Sequence, residues 1–568
     1  MINYKYSPIF IEGGFWMKHK FSLYIAMIFA AALCILTLVA CDGKEESKEC
    51  EHEWSSWQTV TEATCIKNGK AQRTCSDCDA VEEKDISATG SHSFISNICK
   101  ECGEKRPTEN LEYILTQADT AYLVSGIGTA TDLNIVIPST YKDLPVIGIA
   151  PEAFKDCLHI ISVTIPSSVT VIGDSAFKDC LKLLEVHNLS SLNIELNSDE
   201  HGFISSHAHN VYTASSGKSN LVFDNDGLVF YTNDSTSYLM GYSGSDTAII
   251  LPDSCNGKNY KIFQYAFYQN QTLTSVLVPT SVSEIGKSAF EGCTNLTSIT
   301  LPFVGNTLDD KTNNHFGYIF GASTYAWHKE TVPASLKTVI ITGGNINYGA
   351  FYECSNLTGV TLPSTLTSIG YESFLHCSSL TSITIPSTVT SIANYAFRYC
   401  SNLATVIFDG TSQLKTVGWG VFADCTALES ITLPSTVTDL GWGTFFNCSR
   451  LVSVNIPSQV TYIGEYAFYN CTELNNIVIP AAVTSIGQCA FYGCESLRNI
   501  TIPSLVTSIG LNAFKNSGIT AATFENTANW RAETASSSIT VSASNLEKLS
   551  NAATYLKSTY CDYTWKRS

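Results

Sequence analysis

Apolar positions return in a fixed order along most of the chain. Between Leu380 and Cys400 they are Leu380, Ile383, Ile385, Val389, Ile392, Ala396, Phe397 and Cys400, with Ser, Thr and Asn filling the gaps. The order repeats every 23 residues from Phe351 to Phe514, through Phe374, Phe397, Phe422, Phe445, Phe468 and Phe491, with one step of 25 between Phe397 and Phe422. Cys354, Cys377, Cys400, Cys425, Cys448, Cys471 and Cys494 keep step, and Ser517 breaks the series. Alternation at Ile383 and Ile385 predicts one short strand per unit. A single strand cannot bury its aliphatics alone, so the units must stack, pairing strands into one parallel sheet and setting each Phe and Cys over its equivalent. Proline after the strand (Pro363, Pro386, Pro434, Pro457, Pro480, Pro503) ends the ladder, because it has no N–H to give. The Ile-Gly steps at Ile369-Gly370, Ile463-Gly464, Ile486-Gly487 and Ile509-Gly510 are expected to supply a permissive backbone for the next corner.

Away from this array the pattern lapses and returns. Regular units occupy 111–188, beginning with the strand Asp132 to Pro138 and carrying Phe154, Phe177, Cys157 and Cys180. An irregular stretch, 189–258, follows. Within it Val222 to Tyr231 reads as a hairpin turning at Asn225-Asp226-Gly227, where glycine supplies positive φ. The period resumes over 259–302 with Phe267 and Phe290, lapses over 303–335, and runs on over 336–523. Because the phase returns each time, the lapses are expected to be loops or modified coils on one solenoid. The stretch 524–568, with Trp530, Tyr555, Tyr560 and Trp565, is expected to cap the last coil.

A period of 20 to 30 residues with this aliphatic spacing points to a leucine-rich-repeat solenoid. The unit I-P-x-S-V-T-x-I-G-x-x-A-F-x-x-C-x-x-L resembles the BspA-like leucine-rich repeats of bacterial surface proteins, over roughly Leu123 to Phe524. That resemblance implies adhesion to host proteins or other cells. The shared residues are the buried ones, so it speaks for the fold more than for a partner.

Composition narrows the partners. A formal charge of -18 and a pI near 5.0 argue against nucleic acid or an anionic membrane surface, both of which require clustered Lys and Arg. With only 15% charged residues, the surface must be built largely of Ser, Thr, Asn and Tyr.

The N-terminal stretch reads as an export signal, residues 1–40, with Met17 the natural start. Lys18 and Lys20 precede the apolar run Phe21 to Ala40, which ends in Leu38-Val39-Ala40-Cys41. This tetrad resembles the bacterial lipobox, which implies that Cys41 carries a lipid and that 41–49 is a tether to the membrane. The alternative is an uncleaved transmembrane helix. The expected location is the bacterial cell envelope, at the surface.

Residues 50–107 form a cysteine-rich module. Cys75-x-x-Cys78 and Cys99-x-x-Cys102 have the spacing of two knuckles of a zinc-ribbon-like structural zinc site, and His52 or His92 is placed to replace a thiolate. Disulfides are the alternative in an oxidising compartment. The repeat cysteines, all facing one way, are expected to be buried free thiols acting as small hydrophobes with a weak donor.

No catalytic signature accompanies these features: there is no His-Glu-x-x-His, no Gly-x-Ser-x-Gly and no phosphate-cradling Gly-Lys loop. His201, His207 and His209 cluster in the first interruption, as metal ligands or as a solvated loop. Trp419 and Trp442, each flanked by glycines, hold one position of adjacent coils, with Tyr371, Tyr395 and Tyr466 at equivalent or neighbouring positions. They form either an exposed binding ladder, with the two indoles spaced about 5 Å apart, or flank packing. A second candidate surface is the outward face of the strands from Gly359 to Thr501, neutral and polar. The leading expectation is a non-catalytic binding or adhesion protein for proteins or cell surfaces. Capture of carbohydrate through the aromatic ladder is the alternative, and an enzyme housed in the interruptions stands third.

Overall fold

Each repeat folds as one turn of a coil carrying two strands rather than one. The structure, a computed structural model, describes residues 51–63, 67–88, 94–95, 98–99, 105–213, 219–234, 236–308 and 310–568. It divides into two units, Met1–Arg106 and Pro107–Ser568. In the second unit a regular coil runs Ser382–Ile385, then Pro386 and a turn, then the two-residue strand Ser391–Ile392, then the Phe397 corner. Ser382–Ile385 pairs in parallel register with Thr405–Phe408, and Ser391–Ile392 with Thr416–Val417, so two parallel ladders run along the solenoid. Ile383, Ile385, Val389 and Ile392 point inward and are buried, while Ser382 and Thr384 face water. The second strand escapes a reading based on alternation because two residues contain none.

The corner makes a third set of coil-to-coil bonds. Residues two before and two after each phenylalanine take left-handed backbone, as at Glu372 (φ 53) and His376 (φ 61), and at Gly420 (φ 55) and Asp424 (φ 61). This alternation turns every second amide along the axis, and the N–H groups of Glu372, Phe374 and His376 donate to the carbonyls of Asn394, Ala396 and Arg398 at 3.1, 2.8 and 3.0 Å. The glycine of the Ile-Gly step has a different cause from the one expected. Gly370 and Gly510 do not sit at positive φ; a Cβ on Gly370 would lie 2.4 Å from the carbonyl carbon of Asn347 in the preceding coil, and one on Gly510 would lie 2.4 Å from the amide of Gln488. Close backbone approach, not conformational freedom, requires them.

Inside the corners the phenylalanine rings stack. Neighbours from Phe351 to Phe514 lie 5.0–5.7 Å apart with planes within 13° of parallel. Beside them, the repeat thiols from Cys377 to Cys494 donate to the carbonyl of the preceding coil's phenylalanine, as Cys377 to Phe351, Cys448 to Phe422 and Cys494 to Phe468, at 3.0–3.2 Å, while Cys354 lies 3.6 Å from His328 Nδ1 instead. These thiols are free, and burial pushes their pKa values well above the usual range. They act as small apolar fillers that satisfy a buried carbonyl, and a thiol is enough for that.

The interruptions keep more of the solenoid than their sequences suggest. Asn210–Thr213 pairs in register with Glu185–Asn188, so one further coil lies within 189–258. After it, Leu221–Phe223 and Leu228–Thr232 form the antiparallel hairpin, with Gly227 at φ 86 and the Asp224 carboxylate accepting from the amides of Asp226 and Leu228. Ser237–Tyr242 joins this hairpin to Lys261–Ile262 of the resumed coils. The stretch 303–335 is one enlarged coil, since Thr338–Ile341 pairs directly with Ser298–Leu301. Its 3-10 helix Phe316–Phe320 relays the ring stack, with Phe320 against Phe290 at 6.3 Å and Phe316 against Phe351 at 5.0 Å. Antiparallel strands close both ends: Glu112–Leu115 pairs with Tyr122–Gly126, and Thr564–Arg567 with Ser508–Ile509, burying Trp530 and Trp565. In the first unit Gln58–Thr61, Gly69–Thr74 and Val81–Ile86 form a three-stranded antiparallel sheet.

Candidate functional site

The aromatic residues singled out in the sequence lie just before the buried phenylalanines, where the second strand passes into the corner. Tyr371, Trp419 and Trp442 stand three residues ahead of a phenylalanine; Tyr395 and Tyr466 stand two ahead, at φ 59 and 56. Gly420 and Gly443 take that same left-handed position in the Trp coils. A Cβ on Gly420 would come within 2.8 Å of the Tyr395 ring, so glycine here lets one coil's tyrosine lie against the next. Trp419 is 56% exposed, Trp442 37% and Tyr371 37%.

These rings do not form the evenly spaced indole ladder expected. Trp442 packs with Tyr466 at 5.2 Å and with Phe446 at 6.4 Å, whereas Trp419 has no ring neighbour among the described residues. Tyr371 stacks on Tyr348 at 5.4 Å and meets Tyr395 edge-on at 5.9 Å. Between Trp419 and Trp442 the surface opens into a groove of about 710 Å³, bordered also by Asn394, Tyr395, Asp439, Tyr462 and Glu465. Asn394 braces it by accepting the Trp419 backbone N–H at 2.8 Å.

Asp439, Tyr462 and Glu465 were missed by the sequence reading, although a signal was present. The residue three before the phenylalanine runs Tyr348, Tyr371, Asn394, Trp419, Trp442, Glu465, Gln488, and the first residue of the second strand runs Ser368, Ser391, Thr416, Asp439, Tyr462, Ser485, Ser508. The second row leaves Ser and Thr only at Asp439 and Tyr462, in the coils where the first row carries Trp442 and Glu465 beside Trp419, and the groove lies there. The outward strand face is exposed and uncharged from Ser382 to Thr501, with Ile407 at 50% and Val478 at 72% exposure as apolar islands.

In the first unit His52 Nδ1, Cys75 Sγ and Cys78 Sγ lie within 4.8 Å of one another, with His52 Nδ1 and Cys78 Sγ 3.2 Å apart. The Asp77 amide donates to the Cys75 sulfur, and with His52 and Cys78 beside it the thiol falls to about 6, which favours the thiolate a metal needs. This donor set, one imidazole and two thiols on a tight knuckle, fits zinc. Cys99 has its backbone in the strand Ile98–Cys99, while its side chain, His92, Cys102 and the Cys41 region lie outside the described residues. Among the described residues no other His, Cys, Asp and Glu group is gathered for a metal, and His201, His207 and His209 are not brought together. Nor is any described helix long and apolar enough to cross a membrane.

Elsewhere titratable groups are buried for packing. In the enlarged coil His315 Nδ1 and His328 Nε2 lie 3.0 Å apart, and His328 Nδ1 is 2.8 Å from the Tyr352 carbonyl. Burial lowers His315 to about 4 and His328 to about 3, so the pair is neutral. Glu185, fully buried, accepts from Ser219 and from the Asn220 amide, and its pKa is held low by these donors and His187 against the opposing effect of burial. Lys182 is buried with its amine donating to the Tyr265 carbonyl at 2.9 Å, and burial lowers it to about 7.

Comparison with known proteins follows the coils. The model of the BspA type leucine-rich repeat region matches in 6 copies, over residues 134–212, 245–318, 344–475 and 461–554, more than half of the chain. A leucine-rich repeat protein from Bacteroides ovatus is 24% identical, over 72% of this chain and 91% of its own, with a TM-score of 0.36. A leucine-rich cell surface protein from Faecalibacterium prausnitzii is 27% identical, over 55% and 96%, with a TM-score of 0.27. The pneumococcal vaccine antigen PcpA is 16% identical, over 74% and 82%, with a TM-score of 0.20. No curated protein matches the chain. Repeats of this type serve repeat-based binding at bacterial surfaces. With its two ladders, stacked phenylalanines and matched repeats, the chain belongs to the BspA-type leucine-rich-repeat family.

Proposed function

We propose that this protein is a non-catalytic binding protein of the bacterial cell envelope, which engages a protein on host or neighbouring cells through the aromatic flank of its solenoid. One observation carries the reading: two exposed tryptophans on adjacent coils, Trp419 and Trp442, border one groove, while the phenylalanines repeated three residues after them are buried. Rigid indoles and phenols have little entropy to lose on binding and dominate protein interfaces. The same rings would suit the face of a sugar, so carbohydrate capture is the second reading. Arrays of host proteins and glycans probed with the purified protein should yield a partner whose binding falls with Trp419→Ala, Trp442→Ala. Partners that bind the variant as well as the wild type would remove the flank from consideration.

Two supports belong to this reading. Cys41 carries the lipid that holds the protein to the membrane, and Cys41→Ala should abolish fatty-acid labelling; a variant still labelled would sink the anchor. A structural zinc held by Cys75 and Cys78 with His52, Cys99 or Cys102 stabilises the first unit, because folding and metal binding are one free energy in a small site. Elemental analysis of the full chain should give about one zinc, lost with Cys75→Ser. Blocked thiols without metal would place disulfides there instead.

A further inference from the structure

The groove holds charge as well as rings. Asp439 and Glu465 line it, both are exposed, and neither makes an ion pair among the described residues. No lysine or arginine lines the groove beside them. Two carboxylates without counter-ions next to aromatic faces favour a cation: the ring quadrupole attracts positive charge within about 6 Å, and a carboxylate supplies a charge-assisted hydrogen bond. A neutral sugar would need the rings and would gain less from the charges.

The protein contains this arrangement in a filled form. The Arg398 guanidinium lies 4.6 Å from the centre of the Tyr399 ring and 5.4 Å from that of Tyr395, donates to the Tyr399 hydroxyl at 2.9 Å, and pairs with Asp424 at 3.4 Å. Tyr395 also borders the groove. In the first unit, separately, Arg73 lies 4.8 Å from both the Trp54 and Trp57 rings and pairs with Glu82. In both places rings and a carboxylate are occupied by a guanidinium of the chain itself; at Trp419 and Trp442 the rings and carboxylates face solvent.

We propose that this groove is a receptor for lysine or arginine side chains, and that the protein partner presents a basic, extended segment to it. The proposal rests on the aromatic flank being the binding face and adds the chemistry of what it binds. The chain's formal charge of -18 works in the same direction, because it draws a basic partner from a distance and repels an acidic one.

The full chain is titrated with hexalysine, hexaarginine, hexaglutamate and the neutral oligosaccharide cellohexaose, following tryptophan emission and heat. The basic peptides should bind and hexaglutamate should not. Asp439→Asn, Glu465→Gln should weaken basic-peptide binding about tenfold or more, with melting unchanged, while the charge-matched control Asp253→Asn, Glu473→Gln stays within about twofold. Raising salt from about 50 to 300 mM should weaken it too. Equal binding of basic peptides by the wild type and the groove-carboxylate variant would overturn the proposal and leave the aromatic flank standing. So would cellohexaose binding that needs Trp419 and Trp442 but not the carboxylates. If Trp419→Ala, Trp442→Ala leaves every probe and every array partner bound as before, the underlying reading of the flank fails as well.

Discussion

Two rows of side chains run along the same coils, three residues apart, and they follow different rules. The Phe374 to Phe514 row is fully buried, stacked nearly parallel and unchanged from coil to coil. The row that holds Tyr371, Asn394, Trp419, Trp442 and Glu465 is exposed to varying degrees, contacts its neighbours irregularly and changes residue type at almost every step. In a solenoid a core position meets the same surroundings in each coil, so one residue solves it for all. A position facing water is free of that constraint. Its departures therefore carry information about binding that the uniform row cannot.

The largest expected effect comes from breaking the buried row. Phe445 has coils on both sides, with ring neighbours at 5.7 and 5.5 Å. Phe445→Ala should cost about 3–5 kcal/mol, the range for large aromatic truncations. Stability in a solenoid is close to a sum of coil and interface terms. Hydrogen exchange should therefore report local opening around coils 422 to 468 first, and a uniform loss of protection from end to end would instead describe one cooperative globule.

An effect of comparable size tests the one coil where this row is relayed. There His315 and His328 are buried and neutral, at about 4 and 3 against an ordinary value near 6.5. Above pH 6.5 folded and unfolded forms are both neutral and nothing is lost. As pH falls from 6.5 toward 4 the unfolded chain takes up protons that the folded one refuses, so stability drops by about 1.4 kcal/mol per unit for each histidine that titrates, about 3 kcal/mol in all for one of them. Urea unfolding followed with hydrogen exchange between pH 7 and 4 should locate the loss in 303–335. The all-phenylalanine coils, lacking such a pair, should open no earlier in acid than at neutral pH.

How much of this was legible follows from the same contrast. Uniform positions announce themselves, so the period, the inward aliphatics, the stacked phenylalanines and the solenoid could be read directly from the chain. What was missed is what happens once. Ser391–Ile392 is too short to alternate, so the second ladder was invisible as a strand. Asn210–Thr213 keeps the ladder's register without the Ile-Pro ending that marks the others. His315 and His328 stand 13 residues apart with no motif around either. Asp439 and Glu465 look like ordinary surface acids until their coils are superposed and they fall beside Trp419 and Trp442. The two indoles were found because they repeat, yet their spacing was misjudged, since side chains on a flank lean toward whatever neighbour each coil offers.

The smallest expected change in stability belongs to the exposed row, and there the functional account is most exposed to failure. The double variant Trp419→Ala, Trp442→Ala removes two partly solvated rings, so its unfolding free energy should move by less than about 1 kcal/mol, as for most surface substitutions. Affinity for the partner should fall by about 2 kcal/mol or more, as for interface hot spots. Both quantities are to be measured on the same preparation. Weakened binding with unchanged melting is the predicted result; unchanged affinity with a melting loss of several kcal/mol would show that the rings are packing and that the binding face lies elsewhere.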